Sequence, residues 1–123
     1  MIVPGFLVGD KMIDSYSFGK IVIDGKEYTN DVIIFPDRVK SGWWRKEGHS
    51  LYPEDIEDIT KESPEVLVVG TGAYGRLSIP SKTREYIKSD GIEIIAEKTE
   101  EACKTYNDLK DEKKTIAALH LTC

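Results

Sequence analysis

Cysteine is scarce in this sequence: its 123 residues include two, Cys103 and Cys123. Two are too few for the disulfide framework of a small secreted domain, and neither lies in a short CxxC-type spacing for zinc. A reducing, cytoplasmic setting is the expectation, with no metal site. Basic residues are outnumbered as well, 17 Lys and Arg against 22 Asp and Glu, for a net charge of -5. A general nucleic-acid binder presents a large basic footprint, so no nucleic-acid partner is expected. Long apolar runs are missing too: none approaches the roughly 20 residues that span a bilayer. The apolar start, residues 1–9, has no basic region before it and is broken by Pro4 and Gly5, so it does not read as a signal peptide. Membrane attachment is not expected. Paired catalytic carboxylates, a serine triad and a P-loop lysine are also lacking, so the sequence nominates no catalytic residue and no cofactor.

What is present suits one soluble α/β domain over residues 1–123, long enough to form a core without staples. Residues 1–12, interrupted by Pro4, Gly5 and Gly9, are expected to be peripheral and dispensable for stability. Ile21-Val22-Ile23, Asp24-Gly25 and Lys26-Glu27-Tyr28 spell a β-hairpin, because an Asp-Gly pair tolerates the positive φ of a tight turn. Val32-Ile33-Ile34-Phe35 is a β-branched and aromatic run stopped by Pro36. Tyr52, Ile56 and Ile59 then recur at helical spacing behind Pro53, and Ser63-Pro64 ends that helix. Val66 to Val69 is apolar throughout, as a strand covered on both faces requires, and is expected to be central. A helix after Pro80, with Ser81 near its cap, should bury Thr83, Tyr86 and Ile87 and end at Gly91. A strand from Ile92 to Ala96 follows. Thr99 is expected to cap a third helix with the stripe Ala102, Cys103, Tyr106, Leu109, and Thr115 to Leu121 is the closing strand. Strands alternating with helices favour a largely parallel sheet, which the hairpin either extends or covers as a separate layer.

Three groups of residues carry functional interest. Gly70-Thr71-Gly72-Ala73-Tyr74-Gly75 is a GxGxxG after a buried strand, with Glu97 downstream as in dinucleotide-binding proteins. The fingerprint needs a helix beginning at its last glycine, whereas Arg76 to Pro80 reads as extended chain; NAD or NADP binding is therefore not expected. A smaller ligand is compatible with the same place, since the carboxyl ends of parallel strands gather Gly70, Thr71, Gly72, Glu97 and His120. In this alternative Arg45 joins the amides of the glycine loop to receive a small anion or metabolite, in a binding protein or minor enzyme, and is itself dispensable for folding. The third group is Trp43, Trp44 and Arg45, residue types favoured where proteins meet. It supports the leading expectation, a non-catalytic protein-binding or assembly module. Oligomeric state is left open by the sequence.

Taken together, Gly42-Trp43-Trp44-Arg45, Val68-Val69-Gly70-Thr71-Gly72, Ile79-Pro80-Ser81, Tyr86 to Ile92, Tyr106-Asn107 and His120-Leu121-Thr122-Cys123 resemble the domain of unknown function 498 family, over residues 13 to 123. Relatives in that family include an adipogenesis-associated domain protein and a mitochondrial assembly factor of NADH dehydrogenase. The resemblance implies a three-layer α/β domain around a mixed five-stranded sheet, not a Rossmann fold. It implies no inherited catalytic residue, and by analogy it points to protein binding.

Overall fold

The computed structural model describes residues 11–123; most of the peripheral segment expected at residues 1–12 lies outside them. Chain order begins with β1 (Ile13–Ser17), β2 (Lys20–Ile23) and β3 (Lys26–Tyr28), an antiparallel sheet in the order β1-β2-β3. Asp24 and Gly25 adopt φ of 50° and 79° and close the β2–β3 hairpin, the geometry for which the Asp-Gly pair is suited. β1, which the sequence did not disclose, pairs with β2 through an irregularity between Ile13 and Ser15.

The second sheet has five strands in the order β5-β4-β8-β6-β7: β4 (Val32–Phe35), β5 (Arg38–Ser41), β6 (Val66–Thr71), β7 (Glu93–Glu97) and β8 (Thr115–His120). β6 runs parallel to both β7 and β8, whereas β4 is antiparallel to β8 and to β5. The sheet is therefore mixed. Pro36 ends β4, and the chain turns straight back as β5, which has one half-buried residue in four and escapes an apolar pattern. β6 is interior as expected, but β8 is the middle strand.

Alternating residues of the buried strands feed two cores, one on each face. Val32, Ile34, Val66, Val68, Ala117 and Leu119 meet the small sheet and α3 (Thr99–Leu109), including its Ala102, Cys103 and Tyr106. Ile33, Phe35, Leu67, Val69, Ile116 and Ala118 face the other way. There they meet α2 (Ser81–Ser89), a 3-10 turn at Pro53–Ile56 and α1 (Glu57–Lys61). This is the three-layer arrangement, with the hairpin packed as its own layer instead of extending the central sheet. Tyr86 is only half-buried on α2, beside the buried Thr83 and Ile87.

Thr99 departs from its expected role. Lys98 holds the N-cap position of α3, and no side chain caps that end. The Thr99 hydroxyl, buried, instead accepts from the Gly72 amide at 2.8 Å and donates to the His120 carbonyl at 2.6 Å. It ties α3 to the ends of β6 and β8, where the candidate site lies.

Candidate functional site

Past Ser41 the chain bends at Gly42, whose φ is 77°, and three successive side chains then take different directions. Trp43 and Arg45 turn inward and Trp44 outward: Trp43 is 6% exposed and Trp44 76%. The Trp43 indole N–H donates to the Asp55 carbonyl at 3.0 Å, which satisfies the one polar atom that its burial puts at risk. The Arg45 guanidinium lies over the Trp43 ring, 4.6 Å from its centroid.

Asp31, immediately ahead of β4, organises this segment. Its carbonyl accepts the amides of Gly42 and Trp43, both at 2.9 Å. Its carboxylate accepts from Arg45 Nη1 at 2.9 Å through Oδ2 and from the Leu121 amide at 2.8 Å through Oδ1. His120 Nδ1 lies 2.8 Å from the same Oδ2. Burial pushes the Asp31 carboxyl up, but the hydrogen bonds from His120, the Leu121 amide and Arg45 outweigh it and hold the group below the ordinary carboxylate range. An ionised carboxylate only accepts, which assigns the imidazole proton to Nδ1. Arg45 Nη2, 3.2 Å from that nitrogen, is then a charged neighbour and not a donor to it. His120 Nε2 and Arg45 Nε are buried without a hydrogen-bond partner among the described residues.

The structure therefore brings Arg45 and His120 together, as the anion alternative required. It also shows what occupies them: the inward guanidinium edge is taken by Asp31. The amides expected to complete an anion cradle are directed into the protein itself. Gly70 and Thr71 lie in β6, in register with Leu119 and His120 of β8, and the Thr71 hydroxyl donates to the Glu97 carbonyl at 3.0 Å. The Gly72 amide goes to Thr99 and the Ala73 amide to the Thr122 carbonyl at 2.6 Å. Gly72 has φ 106°, and a Cβ there would lie 2.3 Å from the Cys123 carbonyl carbon. The glycine serves close approach of Thr122 and Cys123. The segment after Gly75 is not helical, and α2 begins only at Ser81.

The expected group Trp43, Trp44 and Arg45 divides into two anchors and one presented ring. Clefts of about 400 Å³ and about 360 Å³ each have Gly42, Trp43 and Trp44 in their walls. The first is completed by Lys46 and by residues of β4, β5, the 3-10 turn and α1, the second by Thr29, Asn30, Asp31 and Thr122. Sequence reading found the segment but missed Asp31, an acid before an apolar strand whose partners lie far along the chain. Cys103 is buried and free, and burial pushes its thiol up to about 12, which keeps it protonated at neutral pH. Among the described residues no His, Cys, Asp and Glu side chains gather into a metal-binding group of three or more, and no helix is long and apolar enough to cross a membrane.

These features define a small mixed α/β domain with a presented tryptophan on a pinned loop. The chain belongs to the family described as "Protein of unknown function (DUF498/DUF598)", whose pattern matches residues 13–121. A conserved hypothetical protein from Pyrococcus horikoshii OT3 is similar at 34% identity, over 90% of this chain and 98% of that one, with a TM-score of 0.78. An outer membrane protein from Bartonella henselae shares the fold at 24% identity, 95% and 99% coverage and a TM-score of 0.79. So does a Mth938-like domain from Bordetella pertussis, at 21% identity, 98% and 89% coverage and a TM-score of 0.62.

Proposed function

We propose that this domain is a non-catalytic docking module that engages a protein partner through the surface around Trp44. The observation that carries the reading is an indole left 76% exposed on a backbone held at both sides: Asp31 binds the amides of Gly42 and Trp43, and Arg45 is locked beneath. Tryptophan has a large apolar area and few rotatable bonds, so a ring presented on a fixed segment loses little entropy when a partner covers it. The flanking clefts leave room for the neighbours of whatever side chain meets the ring.

The anion alternative has in its favour the juxtaposition of Arg45 and His120 and their two partnerless nitrogens. Against it stands Asp31, whose carboxylate an incoming anion would have to displace from the guanidinium. Exchange of one buried ion pair for another gains little, so protein docking is the stronger reading.

The test is selection from a random peptide display library on the wild-type protein, followed by titration of the selected peptides against wild type and Trp44→Ser. Affinity is expected to fall at least tenfold, about 1.4 kcal/mol, with the thermal midpoint unchanged because the ring is exposed. Selected peptides that bind both proteins equally would overturn the reading.

A further inference from the structure

Which partner chemistry fits this surface follows from the charges around Trp44. The larger cleft is lined by four carboxylates, Glu54, Asp55, Glu57 and Asp58, and by two ammonium groups, Lys40 and Lys46. Four negative charges against two positive leave the lining at -2. The lysines are already committed, Lys40 Nζ to Asp58 at 2.7 Å and Lys46 Nζ to Glu54 at 2.8 Å. Asp55 spends its oxygens on the backbone amides of Lys46 and Tyr52, at 3.1 Å and 2.8 Å. Glu57 remains: among the described residues its carboxylate has no ion pair and no hydrogen bond, and its residue is exposed. One cleft thus offers an uncovered indole face and an uncommitted carboxylate.

Both features favour a cation, the indole through its negative π face and Glu57 through its charge. The smaller cleft differs. Apart from Asp31, already paired with Arg45, its walls are glycine, tryptophan, threonine and asparagine. A second copy of the chain is a poor occupant, because each copy carries -5 and would present carboxylates to carboxylates. We infer that the partner contributes a basic segment, and that an arginine from it enters the larger cleft, stacking on Trp44 and pairing with Glu57. Arginine fits better than lysine because its planar guanidinium can stack and bind a carboxylate at the same time. The protein already uses this chemistry internally, with Arg45 over Trp43. The inference rests on Trp44 as a docking surface and adds the charge of what docks.

The decisive probes are Nα-acetyl-arginine amide and its neutral isostere Nα-acetyl-citrulline amide, titrated into the 15N-labelled protein. Arginine is expected to move the Trp44 indole N–H and Glu57 amide resonances saturably. It should bind roughly tenfold tighter than citrulline. The preference should shrink several-fold in Glu57→Gln and in about 1 M salt, where the screening length is about 3 Å. Glu57 is exposed, so this variant keeps the fold. Equal shifts with citrulline, arginine shifts centred elsewhere, or indifference to Glu57→Gln would overturn the inference. The display selection separates the two levels. Trp44-dependent peptides without an enriched basic residue would sink the arginine and leave the docking surface standing. Peptides indifferent to Trp44 would sink both.

Discussion

At the scale of single residues, Asp31 has the largest consequences. It joins the tryptophan segment to the end of β8 through Arg45, His120 and the Leu121 amide. Arg45→Ala would leave that carboxylate mostly buried with one fewer cation. A stability loss of roughly 2–4 kcal/mol is expected by denaturant titration, in contrast to the dispensable arginine anticipated from sequence. The carboxyl's folded value is depressed, so its contribution is fully present above the ordinary carboxylate range and disappears as pH falls through that range toward the lower folded value. Acid titration of Asp31→Asn should lack this part of the wild-type loss, while starting from lower stability at neutral pH. Gly72 is the second sensitive position. Gly72→Ala, and not only a charged replacement, should cost more than about 2 kcal/mol, because the new Cβ meets the Cys123 carbonyl and φ is 106°.

Between elements, α3 is the main fastening. Thr99 links it to β6 and β8. Asn107 imitates a neighbouring strand, its side-chain carbonyl accepting from the Ile13 amide at 3.0 Å and its NH2 donating to the Ile13 carbonyl at 2.8 Å. Thr99→Val preserves shape but strands the Gly72 amide and the His120 carbonyl. The expected cost is roughly 2–4 kcal/mol, read as a lower denaturation midpoint at unchanged slope. The beginning of the described chain is tied down in the same way. The Lys11 carbonyl accepts from the Tyr106 hydroxyl at 2.9 Å, and the Met12 carbonyl accepts from the Asp24 amide at 3.0 Å. A truncation through Met12 should therefore be less stable than one ending at residue 10 by about 1–3 kcal/mol. Calorimetry of the two truncations measures the difference and tests the boundary of the peripheral segment.

For the molecule as a whole, the glycine fingerprint and the tryptophan segment meet opposite fates at the same end of the sheet. The space a pyrophosphate would need beside Gly72 is filled by Thr122 and Cys123, and the helix that would face it begins too late at Ser81. Calorimetric titration with NAD or NADP should show no saturable heat at sub-millimolar ligand; micromolar binding would contradict this packing. The tryptophan segment instead stays open, and the acidic residues of the turn into α1 give it a sign.

Much of this architecture is determined by sequence alone. Periodicity and punctuation placed the hairpin at Asp24-Gly25, the buried runs of β4, β6 and β8, and the helices behind Pro53 and Pro80 and at Thr99, because these depend on local geometry and on burial repeated along the chain. β1 and β5 escaped because they are mostly exposed, so no apolar pattern announces them. Only the tertiary structure decided that Thr99 staples strands instead of capping its helix, that Asp31 meets Arg45 and His120, and that Gly72 makes room for Thr122 and Cys123. The physical reason is the same in each case. A polar atom's partner in a buried site is fixed by long-range packing, and the sequence around that atom states its need for a partner without naming it.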